Sequence, residues 1–144
     1  MANKKYRPES HTKLLNFMKE VCDTWSVDHR QVYEFKFEGI GRLLLAPFDS
    51  SLFKMEDEEL HLLMVESDES CPLPGKGSFL LGLVLDAADL NRVKISLMAM
   101  KLFPHVKINR LKNWYKRNGF KRHGSFHKDE LYRYPIDRFK VWTE

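Results

Sequence analysis

The sequence predicts a mixed α+β domain, and three features carry that prediction. Residues 31–38 alternate cleanly, with Tyr33, Phe35 and Phe37 on one side and Glu34, Lys36 and Glu38 on the other, which is the period of a half-buried strand. Leu14, Phe17 or Met18, Val21 and Trp25 recur instead at helical spacing. Farther on, an apolar run at 60–65 enters the loop Cys71-Pro72-Leu73-Pro74-Gly75-Lys76-Gly77-Ser78 and a second run at 79–90 leaves it. A strand is thereby joined to a helix through closely spaced glycines.

Taken in order, residues 1–9 are short, basic and contain Pro8, the composition of a loose lead-in. Ser10 is placed to cap the first helix, with His11 expected in solvent on its first turn. The strand at 31–38 turns through Gly39-Ile40-Gly41 and returns over 42–46 as the second arm of a hairpin, which Pro47 stops. Residues 49–59 are acidic and polar, a loop with room for a helical turn. After the strand at 60–65 and the helix at 79–90, residues 93–100 read as another strand. Pro104 and His105 lie in a linker to a helix that sets Ile108, Leu111 and Tyr115 on one face and ends at Asn118-Gly119. Residues 120–123 and 130–134 pair as a closing hairpin; Pro135 ends it, leaving a tail at 136–144.

At 144 residues, 43% hydrophobic and 31% charged, the chain suits one domain over 1–144. Its apolar runs stop well short of the roughly 20 residues of a membrane span, and residues 6–13 are polar where a secretory signal needs an apolar stretch. Cys22 and Cys71 stand far apart without metal-ligand spacing, so neither a disulfide framework nor a metal site is expected. The expected compartment is the cytoplasm. The net charge of +4 is unevenly spread: residues 107–128 are rich in Lys and Arg with no acid, while 56–59 and 66–69 are acidic. The basic segment reads either as a solvated helix face or as a surface for an acidic partner, RNA or coenzyme phosphates, and a small nucleic-acid binder using it is the least favoured class.

Glycines let a backbone approach an anion without a Cβ in the way, and a helix that starts there presents unpaired N–H groups and its positive dipole end. Gly75, Lys76, Gly77 and Ser78 fit such a phosphate cradle, although an ordinary strand-to-helix turn accounts for them as well. The rest of the stretch adds specificity: a strand, then a helix carrying Leu111-x-x-Trp114-Tyr115-x-x-x-Gly119-Phe120. This order resembles the core of the GCN5-related N-acetyltransferases, the GNAT family, over about half the chain. The resemblance implies a three-layer fold with a central mixed, mostly antiparallel sheet flanked by helices. It also implies acetyl-CoA as cosubstrate, with its pyrophosphate on Gly75, Lys76, Gly77 and Ser78 and its thioester near the backbone of Met64 and Val65, where the strand at 60–65 splays from its neighbour.

On that resemblance Tyr115 matches the tyrosine that protonates the departing thiolate, though helix periodicity alone also places an apolar ring there. Glu66, at the end of the central strand, is the candidate general base, with His61 and His105 behind it. The function implied is direct transfer of an acetyl group to an amine such as a protein lysine, an N-terminus or a polyamine. The loop departs from the family pattern, since aligning Gly75 and Gly77 puts Pro72 at its basic position, and Ile108 stands where an asparagine is usual. A catalytically inactive binding or assembly protein on the same fold is therefore the alternative.

Overall fold

The computed structural model describes residues 9–46, 59–68, 75–99, 107–122 and 129–137. The expectations for residues 1–8, 49–58, Cys71, Pro72, Leu73, Pro74, Pro104, His105 and the tail from 138 lie outside the described residues. In chain order the elements are α1 (Glu9–Val21), β1 (Thr24–Val27), β2 (Tyr33–Phe37), β3 (Gly41–Ala46), β4 (Glu59–Ser67), α2 (Lys76–Asn91), β5 (Lys94–Met98), α3 (Ile108–Arg117), β6 (Lys121–Arg122) and β7 (Glu130–Arg133). The strands form one sheet in the order β1-β2-β3-β4-β5-β7-β6. Every pairing in it is antiparallel except β4 with β5. That parallel pair requires a crossover, and α2 supplies it.

Residues directly opposite one another on neighbouring strands share a face of the sheet. Phe35, Leu43, Leu45, Leu60, Leu62, Ile95, Leu97 and Leu131 do so and are all buried. Leu14, Leu15 and Met18 of α1 and Leu80, Leu81, Val84 and Ala88 of α2 complete the same core. Asp89 of α2 and Arg133 of β7 face each other inside it, with two hydrogen bonds of 2.7 and 2.9 Å. Arg133 Nε also donates to the Asn118 carbonyl at 3.0 Å, which fixes the end of α3 against the sheet.

Several expectations are corrected. The first helix begins at Glu9, so Ser10 lies inside it and does not cap it, and its buried Oγ has no hydrogen-bond partner. His11, expected in solvent, is 2% exposed, because it falls on the stripe of Leu14, Leu15 and Met18 at helical spacing. Trp25 is not on the helix. It belongs to β1, an edge strand unforeseen because its apolar residues Trp25 and Val27 are too few for a pattern, and both remain exposed. The helix after the glycine loop starts at Lys76, so Lys76, Gly77 and Ser78 form its first turn rather than a loop, and Gly75, at φ 78°, is its N-cap.

Candidate coenzyme and acyl-transfer site

The centre of the sheet is the parallel pair, and its register has a break. Leu44 stands opposite Met64 but Leu45 opposite Leu62, so Leu63 is an extra residue, a β-bulge in β4. The last rung between β4 and β5 joins Leu62 to Leu97. Beyond it β4 runs on to Ser67 paired with β3, and among the described residues it has no further partner on the β5 side. A bulge bends the strand that carries it, and the β4–β5 ladder ends beside Leu63, so among the described residues Met64 and Val65 border a gap in that ladder. Leu63 itself is exposed.

The first turn of α2 follows closely on the end of that strand. Lys76 Nζ donates to the backbone carbonyl of Asp68, which ties helix to strand. Gly75 has no side-chain cap bond, and the first helical bond runs from Phe79 N–H to the Gly75 carbonyl at 2.9 Å. The N–H groups of Lys76, Gly77 and Ser78 precede it and have no acceptor within the helix. A Cβ at Gly75 would meet no atom within 4 Å, whereas one at Gly77 would touch the Trp114 ring at 3.7 Å. Trp114 Nε1 also donates to Ser78 Oγ at 3.2 Å, so α3 lies against this turn. Nothing in the sequence assigned Trp114 that part, although it stands in the quoted motif.

Tyr115 is 7% exposed, with its ring centroid 4.9 Å from Trp114 and 5.5 Å from Phe120. Burial pushes its hydroxyl up to about 12, so it holds its proton at neutral pH. Glu66 accepts from Arg42 Nε at 2.6 Å, and Arg42 reaches Glu34 with its other arm at 2.7 Å. These two carboxylates raise the affinity of Arg42 for its proton. Lys36, Arg42, Glu66 and Asp68 line a cavity of about 710 Å³ together with residues of β1, β2 and β3. His61, on the opposite face from the core, lies with Nδ1 3.1 Å from Ser96 Oγ.

Of the basic run, Lys107, Arg110, Lys116, Arg117, Lys121 and Arg122 are exposed, and Lys112 instead pairs with Asp129 at 2.8 Å. Among the described residues no group of His, Cys, Asp and Glu could hold a metal ion, and no helix is long and apolar enough to cross a membrane.

No protein-family model matches the sequence, and no curated protein does. Among solved structures, the anti-CRISPR protein AcrVA5 is similar at 21% identity and a TM-score of 0.53, over 69% of this chain and 94% of that one. An acyl-CoA N-acyltransferase from Pseudomonas aeruginosa aligns at 17% identity with a TM-score of 0.48, over 93% of this chain and 94% of its own. A seven-stranded, mostly antiparallel sheet whose one parallel pair is bridged by a helix and ends its ladder at a bulge is, with that likeness, the fold of the GCN5-related N-acetyltransferases.

Proposed function

We propose that the chain is an acyl-CoA-dependent N-acyltransferase, using acetyl-CoA, that passes the acyl group directly to an amine. The observation that carries this reading is the end of the β4–β5 ladder at the Leu63 bulge, with the first turn of α2 close by. An extended thioester arm can lie in the gap against the backbone of Met64 and Val65, and an anionic pyrophosphate suits the N–H groups of Gly75, Lys76, Gly77 and Ser78. The coenzyme supplies an activated acyl group. A backbone N–H of Met64 or Val65 stabilises the charge that develops on the carbonyl oxygen. Tyr115 donates a hydrogen bond to the departing sulfur. With its hydroxyl near 12 against roughly 8.5 for a thiol, full proton transfer from Tyr115 is uphill, so its part is to stabilise the thiolate.

The reading of a binding or assembly protein on the same fold is favoured by one observation. Trp114 covers Gly77 and holds Ser78, and Lys76 is bound to Asp68, so the side chains of this turn are engaged within the protein. Calorimetry with acetyl-CoA and CoA separates the two. Saturable binding of both is expected; neither heat nor a thermal shift at millimolar ligand would leave the assembly protein standing.

A further inference from the structure

The face of the sheet opposite the core carries buried charge that the coenzyme site does not use. His61, Ser96 and Tyr132 stand directly across from one another on β4, β5 and β7, so they share that face. Glu59, Lys94, Glu130 and Tyr134 lie two residues along the same strands and share it as well. The His61–Ser96 rung immediately precedes the Leu62–Leu97 rung at which the ladder ends. The cluster therefore abuts the origin of the gap.

Its charges lie at its two ends. Lys94 Nζ is 3.6 Å from Glu59 Oε1 and 5.1 and 4.7 Å from the ring centroids of Tyr132 and Tyr134. An alkylammonium between a carboxylate and aromatic faces is thus already present in the protein's own side chains. Glu130 is 9% exposed, and its Oε1 is buried with no hydrogen-bond partner. A carboxylate oxygen in that state is costly unless a cation meets it. Lys94 meets Glu59 at one end of the cluster, while Glu130 stands at the other end, across from Met98.

Resting on the acyltransferase reading, we infer that this face is the acceptor site, where Glu130 receives a primary alkylammonium and His61, held by Ser96, takes the proton that makes it a nucleophile. In the tautomer that donates Nδ1–H to Ser96 Oγ, the lone pair of His61 stands on Nε2. Burial holds this imidazole below its ordinary value, outweighing the opposing pull of Glu59 and Glu130, so it is neutral at pH 7 and able to accept. The ammonium gives one proton to Nε2. The nitrogen lone pair then forms the C–N bond as the C–S bond breaks, and a second proton leaves the nitrogen for the departing sulfur. Amide, thiol and imidazolium result, and the imidazolium returns its proton to water. Glu66, the residue after Val65, has its carboxylate held by Arg42, so among the described candidates His61 is the one whose acceptor atom is not taken up by a cation.

The test uses the full chain as wild type, Glu130→Gln and His61→Gln. Spermidine and an N-terminally blocked lysine peptide are titrated calorimetrically, acetyl-CoA is titrated separately, and rates are followed from pH 5 to 9. Acetyl-CoA affinity should be the same in all three. Glu130→Gln should weaken amine binding and raise the acceptor KM at least about tenfold, at an unchanged melting temperature because the substitution keeps shape and removes a buried charge. His61→Gln should keep KM, lower kcat by roughly 10²–10⁴ and abolish the fall in rate at acid pH that protonation of His61 imposes. The better bound amine identifies the source as polyamine or protein lysine. Equal amine binding by wild type and Glu130→Gln, or an unchanged kcat and acid limb in His61→Gln, overturns the inference. Amine binding that depends on Glu130 in a chain that binds no acetyl-CoA supports the ammonium site and overturns the acyltransferase reading alone.

Discussion

Tyr115 is the residue on which helix periodicity and chemistry make the same demand, and its burial meets the first without settling the second. The ring is fixed by Trp114 and Phe120, so Tyr115→Phe removes a hydroxyl from a site that otherwise stays filled. Its melting temperature should match that of wild type. Single-turnover acyl transfer should slow by about 10²-fold, the lower end for general acid catalysis, because a hydroxyl near 12 assists the sulfur without fully protonating it. Coenzyme affinity should not change, and equal rates would remove the hydroxyl from the mechanism. Tyr115 was legible in the sequence because Ile108, Leu111 and Tyr115 repeat at helical spacing within a recognisable frame. The pairing of His61 with Ser96 was not, because the two are 35 residues apart and meet only through the parallel register of their strands.

At the scale of elements, the alternation in β2, the β2–β3 hairpin and the order strand, helix, strand were all readable, since each is written in neighbouring residues. Boundaries set by tertiary packing were not. The first turn of α2 reads as loop because Gly75 and Gly77 are poor helix formers, yet contact with Trp114 and the tie from Lys76 to Asp68 hold it in place. That placement yields an opposed pair of effects at Gly77. A methyl there would rest on the Trp114 ring at an ordinary 3.7 Å, and alanine is a better helix former than glycine by up to about 1 kcal/mol. Gly77→Ala should therefore melt at the same or a slightly higher temperature. If a pyrophosphate lies against this turn, the same methyl intrudes on it, and acetyl-CoA should bind at least about tenfold more weakly. Thermal melting and calorimetry on one sample measure both, and unaltered affinity would show that no anion approaches Gly77 on the side its methyl would occupy.

For the whole molecule, the sheet order could be anticipated from the resemblance, but the ion pair that joins its distant parts could not. Asp89 reads as one more polar residue near the end of an apolar helix, and Arg133 as one more base in a basic region. They meet across 44 residues because α2 crosses the sheet and β7 inserts beside β5. Asp89 also accepts from the Ile136 N–H at 2.9 Å, while Arg133 reaches the Asn118 carbonyl, so a single buried pair binds α2, α3 and the segment after β7. Removing one partner leaves the other charge buried and uncompensated, which typically costs about 3–5 kcal/mol, a large share of the stability of a domain this size. Asp89→Ala should thus lower the denaturation midpoint sharply. Replacing both residues by apolar ones of similar volume, Asp89→Leu with Arg133→Met, should recover much of the loss, because the desolvation penalty goes with the charges. Urea unfolding of wild type, Asp89→Leu, Arg133→Met and the double variant measures the coupling. Additive losses in the double variant would show that the two side chains act through separate contacts and not as one pair.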